Sequence, residues 1–348
     1  MMEDKRISPD YKKKSVVSVA AKAESADKAV MKSKSASGKK NADKTAEKSK
    51  PAKKTRPAVR PAPSEKIAPS EKIKTIQKLK PDEKNKPADS TAENSSENTA
   101  AEPREELNPI LESGAKEISV PLSAESIRAF SEYARLLKEW NEKMNLTNIT
   151  DDKGIAIRHF VDSLTLVSHL EDETVRKGTK HLSLIDVGTG AGFPGIPLKV
   201  AMPSLEVTLL DSLRKRVGFL DAVCTALDLK GITTVHSRAE DAGLSKQYRE
   251  KYDVATARAV ASLPVLCEYC LPFVKIGGIF LAMKGHVEEE AELAKKAIVM
   301  LGGTLETLHH FTLPGTDMKR SIIVIRKVRA TPAKYPRQAG KPEKEPLI

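Results

Sequence analysis

LIDVGTGAGFPGIPL, residues 184–198, sets four glycines and two prolines between one apolar run and the next, directly behind Asp186. The run before it, LSLIDV (182–187), has the length of a strand, and IPLKVAM after it reads as a helix. Further apolar runs of strand length follow at EVTLLD (206–211), ITTVHS (232–237), YDVATA (252–257) and GIFLAMK (278–284), with helical patterns between them. Continuous apolar strands alternating with helices predict a parallel sheet covered on both faces. After a helix over 287–300 the alternation stops. TLETLHHFTL and RSIIVIRKV are separated only by PGTDMK, which predicts an antiparallel hairpin at the sheet's end.

The glycine turn admits three ligand chemistries. A phosphate-cradling P-loop needs Lys-Ser or Lys-Thr after its glycines, and none follows here. A dinucleotide fingerprint, G-x-G-x-x-G, is met literally by Gly190, Gly192 and Gly195. Asp186 argues against it, because the pattern is D-x-G-x-G-x-G and an acid lining that pocket repels a pyrophosphate. A cofactor without phosphate but with a cationic centre suits both the acid and the close-approaching backbone of Gly188, Gly190 and Gly192, and S-adenosylmethionine is such a cofactor. Asp211 ends the second strand, where an acid accepts from both ribose hydroxyls or caps the next helix. Ala239 and Glu240, after the third strand, are placed to meet an adenine ring and its amine; acids that favour a helix N-terminus are the competing reading.

Upstream of the sheet, SAESIRAFSEYARLLKEWNEKMNL opens with Ser123 as an N-cap. It repeats Ile127, Phe130, Ala134, Leu137 and Trp140 at helical spacing. NPILESGAKEIS and IAIRHFVDSLTLVSHL (155–170) are further helices, so a helical cap over 107–175 precedes a Rossmann-like core over 181–328. Residues 1–106 are expected to be a disordered Lys/Ala/Ser/Pro-rich extension. The first hundred residues hold 25 of the 59 Lys and Arg and one aromatic residue, Tyr11, so nearly the whole net charge of +12 lies there. Residues 329–348 read as a basic C-terminal tail, the stretch 326–341 as a second basic arm. No secretory signal and no membrane-length apolar run is visible, and the three cysteines, Cys224, Cys267 and Cys270, are an odd set suited to free thiols. One C-x-x-C between apolar flanks does not complete a zinc site, so no metal is expected. The location expected is the cytoplasm.

The glycine turn together with NLTNI, RHFVDSL, ARAVASLP and MKG resembles the GidB (RsmG) family of bacterial small-subunit rRNA (guanine-N7) methyltransferases, over about 107–328. The resemblance implies a class I S-adenosylmethionine-dependent methyltransferase: an α/β, Rossmann-like, seven-stranded sheet with a terminal antiparallel hairpin and an N-terminal helical cap. It implies cofactor contacts at Gly188 and Phe193, at Ala239 and Glu240, and at Arg258. The implied methyl acceptor is N7 of a guanine in the decoding-region loop of 16S rRNA, presented as rRNA or on the small ribosomal subunit.

N7 carries a lone pair and no proton, so no general base is needed and positioning is the main task. Arg258, just past the fourth strand, is the candidate to bridge cofactor and substrate; a packed, salt-bridged arginine is the competing reading. Asn145, Arg158 and His159 from the cap, with Lys215, Arg216 and Lys284 from the core, are the RNA-binding candidates. His159 also reads as an internally satisfied histidine, and the lysines as a solvated face. No apolar surplus calls for a second copy, so a monomer is expected. Two alternatives stay open: a nucleic-acid-binding protein with a non-catalytic pocket, and a methyltransferase acting on something other than RNA.

Overall fold

The computed structural model describes residues 106–285 and 287–348. Apart from Glu106, the basic extension expected over 1–106 lies outside the described residues. The cap begins with α1 (Leu107–Glu117) and α2 (Ala124–Met144). Ser123 caps α2 as its sequence predicts, accepting from the Ser126 amide at 3.1 Å. The segment read as one helix over 155–170 is built in pieces. An α-turn (Asp152–Gly154) passes into a π-helix (Ile155–Val161), returns to α (Asp162–Leu164), and breaks before α3 (Val167–Lys177).

The core then runs β1 (Ser183–Val187), α4 (Gly195–Ala201), β2 (Glu206–Asp211), α5 (Arg214–Ala226), β3 (Ile232–His236), α6 (Ala239–Leu244), β4 (Tyr252–Arg258), α7 (Leu263–Cys270) and β5 (Val274–Lys284). It ends with α8 (Glu288–Met300), β6 (Gly303–Thr312), β7 (Lys319–Lys327) and the single turn α9 (Lys341–Lys344). The seven strands stand in the order β3-β2-β1-β4-β5-β7-β6. Five are parallel, and β7 inserts antiparallel between β5 and β6. This is the class I methyltransferase arrangement. The strand order reverses at β1, flanked by β2 and β4, so the ends of those three strands frame the crevice where open α/β sheets bind ligands.

Successive β1 residues feed two apolar clusters. Leu184 joins one with the cap residues Phe130 and Phe160 and with Phe219 of α5, while Ile185 and Val187 join the other with α7 and α8. Burial on both faces is why these strands read as unbroken apolar runs. Cys267 and Cys270 are packed in the second cluster, where burial pushes both thiols well above their usual range. Among the described residues no group of His, Cys, Asp and Glu could hold a metal ion, and no helix is long and apolar enough to cross a membrane.

The C-terminal stretch departs from the expected basic arm. Thr331 and Tyr335 are buried, and Arg337 pairs with Glu268 of α7. The basic residues that make this stretch look like a free arm are in part consumed by internal partners.

Candidate functional site

Asp186 leaves β1 fully buried on the face toward α4. Its Oδ2 accepts from the Thr189 hydroxyl at 2.7 Å and from the Gly195 amide at 2.8 Å, closing the glycine turn on itself. Its Oδ1 has no hydrogen-bond partner. Burial pushes the carboxyl up to about 6, against the two bonds that pull it down. A buried acceptor without a donor is costly. Gly188 and Gly190 have φ of +70° and +62°. A β-carbon at Gly190 would meet nothing nearer than 4.0 Å, so its backbone borders open space. Gly192 and Gly195 serve packing instead: a β-carbon at Gly192 would strike Tyr133 and Ile196, and one at Gly195 would strike Leu209.

On one side of the turn lies a cavity of about 150 Å³ lined by Gly188, Asp211, Ala239, Glu240, Tyr269 and Glu343 among others. Asp211 is buried. Its Oδ2 accepts from the Gly190 amide at 3.0 Å and its Oδ1 from the Leu213 amide at 2.8 Å, so it joins the turn to the start of α5. Asp211 lines the cavity, but it is not the cap of α5: the N-cap position is Leu213, and no side chain caps that helix. Glu240 is buried, with Oε1 accepting from the Gly340 amide at 2.9 Å.

A second cavity, of about 300 Å³, is lined by Arg158, His159, Asp162, Arg258, Lys284 and Arg320 among others. Arg258 ends β4 and donates Nη1 to Asp162 Oδ2 at 2.8 Å; Arg320 of β7 donates Nε to Asp162 Oδ1 at 3.0 Å. The guanidinium of Arg258 also lies 5.1 Å from the centre of the Phe193 ring. His159 stacks on that ring at 4.4 Å and shares a 2.8 Å hydrogen bond with Thr147. Burial, then the charges of Arg258 and Arg158, take its pKa down to about 3, so it is neutral at physiological pH. The row of rings continues from Phe193 to Tyr133 (5.3 Å), Phe219 (6.5 Å) and Trp140 (5.7 Å). The Tyr133 hydroxyl donates to the Ala191 carbonyl, fastening α2 to the glycine turn.

The two cavities meet at residues 258–260. Arg258 and Ala259 line the basic one and Val260 the acidic one. Ala259 has φ +56°, a strained conformation for a residue with a side chain. A β-carbon at Gly188 would come within 2.8 Å of Val260, so the ends of β1 and β4 touch there.

Of the sequence-derived candidates, the cofactor residues Asp186, Gly190, Gly192 and Phe193 line neither cavity. Arg158, His159, Arg258 and Lys284 line one cavity, Gly188, Asp211, Ala239 and Glu240 the other. Lys284 is not a free cation: its Nζ donates to the Ala261 carbonyl at 2.6 Å and to Glu290 at 2.9 Å. Asn145 is the exposed, left-handed C-cap of α2 and lines neither cavity. Lys215 is exposed on α5, and Arg216 lies 3.5 Å from Asp211. Asp162, Arg320, Tyr269 and Glu343 are cavity residues that sequence reasoning missed. RHFVDSL contains Asp162, but no local pattern reveals that two arginines from β4 and β7 converge on it.

A family model described as rRNA small subunit methyltransferase G, GidB, matches residues 126–323. A protein of Acetivibrio thermocellus named ribosomal RNA small subunit methyltransferase G is 56% identical over 241 residues, 69% of this chain and 97% of that protein. Proteins of the same name from Alkaliphilus oremlandii and Staphylococcus carnosus are 50% and 48% identical, over 70% and 67% of this chain and 99% and 95% of theirs.

Proposed function

The chain belongs to the GidB family, rRNA small subunit methyltransferase G, and from that premise we propose that it moves a methyl group from S-adenosylmethionine to N7 of a guanine in the decoding-region loop of 16S rRNA. One observation carries the reading. An acidic cavity, which reaches the glycine turn at Gly188, and a basic cavity meet at residues 258–260. Asp211, Glu240 and Glu343 disfavour a pyrophosphate and suit a nucleoside that brings donors. Arg158, Arg258 and Arg320 suit the phosphates and the O6 and N7 acceptors of a guanine nucleotide. A dinucleotide would need the reverse distribution of charge.

S-adenosylmethionine supplies an electrophilic methyl group on a sulfonium centre. In this assignment Asp211 takes the ribose hydroxyls, Ala239 and Glu240 border the base, and the buried carboxyl of Asp186 acts on the cationic end through its charge from behind the turn. Phe193 and Arg258 form the partition between the cofactor and the incoming base. Asp162 fixes Arg258 and Arg320 as a pair, so two guanidinium groups stand ready where an acceptor base and its phosphate would lie. His159 is neutral, stacked and bonded to Thr147; it shapes the wall and moves no proton. No proton needs removing from N7 before transfer, so orientation is the task left to the protein.

Mass mapping of 16S rRNA from cells with and without the gene tests the proposal. The expected result is loss of one methyl group from one decoding-region guanine, restored by the intact protein and not by an Arg258→Ala variant. An unchanged methylation pattern in cells lacking the gene would reject it.

A further inference from the structure

The acidic cavity has one wall past the last residue of the family match, 323. That wall is the segment 329–348, and the fold holds it through buried polar groups rather than loose contact. Arg249, between α6 and β4, donates to the carbonyls of Thr331 and Tyr335 at 2.7 and 2.8 Å. Glu268 of α7 is wholly buried. It accepts from the Arg337 side chain at Nε and Nη2 (2.9 and 2.6 Å) and from the Arg337 backbone amide at 2.7 Å. Three residues on, the Gly340 amide donates to Glu240, and Gly340 turns the chain with φ +79° into α9. That turn brings Glu343 to the cavity, where the Tyr269 hydroxyl donates to it at 3.3 Å.

We propose that residues 329–348 form the base end of the nucleoside subsite, with Gly340 orienting Glu240, Glu343 accepting from the purine's donor edge, and Arg337–Glu268 as the positioning pair. This rests on the cofactor reading given above. Its chemical logic is a match of donors to acceptors. Asp211, Glu240 and Glu343 are the carboxylates of this cavity among the described residues. An adenosine end offers two ribose hydroxyls and an exocyclic amine, all donors. A 6-oxo purine would turn a carbonyl toward a carboxylate, which is repulsive, so the segment also selects adenine over hypoxanthine.

Isothermal titration of the full chain with S-adenosylhomocysteine, and with its 6-oxo analogue S-inosylhomocysteine, reads the effect. Glu343→Ala should raise Kd for S-adenosylhomocysteine about fivefold, narrow the preference over the 6-oxo analogue, and leave the thermal midpoint unchanged. Arg337→Ala should raise Kd by about tenfold or more, while filter-binding affinity for an rRNA fragment stays at the wild-type value. A purely structural role would lower both affinities together. Glu343 is exposed, so its variant decides the matter even if Arg337→Ala fails to fold. Both variants binding S-adenosylhomocysteine as the wild type does would overturn the proposal. A wild-type chain that does not bind it at all would overturn the cofactor reading beneath it.

Discussion

Asp186 concentrates the conflict between stability and binding in one carboxyl group. Its ordinary pKa near 3.8 is carried up to about 6 by burial, so the folded protein holds the proton more tightly than the unfolded chain does. Below 3.8 both states are protonated and nothing is lost. As pH rises from there through 6, the folded state loses stability, by about 3 kcal/mol in all, and above 6 the loss is constant. Asparagine keeps one oxygen for Thr189 and Gly195 and removes the buried charge. Asp186→Asn is therefore expected to raise the melting temperature at pH 7.5 and to weaken S-adenosylmethionine about tenfold. Calorimetry and titration at that pH check both, and a variant with neither change would remove the role. The acid and its glycines are legible because a strand-to-helix turn confines them to one short stretch. Tyr133 is not. It falls inside the helical repeat beside Phe130 and Ala134, and only the fold shows its hydroxyl meeting Ala191.

At the scale of elements, the strands follow from apolar runs, since every run read as a strand is one, with ends within a few residues. The cap is less legible. Helical periodicity over 155–170 carries no mark of a π-turn, because the extra residue per turn changes which side chains face together without changing composition. The consequence is functional. The π-helix and the turn after it place Arg158, His159 and Asp162 along one cavity, with Asp162 holding Arg258 of β4 and Arg320 of β7. Asp162→Ala would leave two guanidinium groups without their shared partner. Methyl transfer to rRNA should fall about tenfold or more with S-adenosylhomocysteine affinity unchanged, measured by initial rates and by titration. An unaltered rate would show that the pairing is dispensable for orientation.

Across the whole molecule, charge is the least transparent quantity. The first hundred residues carry nearly all of the +12, and the arginines of the basic cavity are too few to show in the composition. The tail over 329–348 misleads for the same reason: its Lys, Arg and Pro content looks solvated, while Arg337 is spent on a buried glutamate. Deleting residues 1–100 is expected to weaken rRNA binding and to flatten its dependence on salt, by about 0.7–0.9 in log–log slope for each phosphate that the shortened chain leaves unneutralised, with S-adenosylmethionine affinity unchanged. Filter binding over a range of salt concentrations checks this, and equal slopes for the two chains would deny the extension any electrostatic part.

The row of rings from Trp140 to Phe193 has a practical corollary. Trp140 is the chain's one tryptophan, and it stands at the far end of a row of ring contacts, tilted against Phe219, whose other end, Phe193, lies beneath Arg258. Any change in the chain's tryptophan fluorescence on adding a ligand therefore reports on one indole, three ring contacts from Phe193.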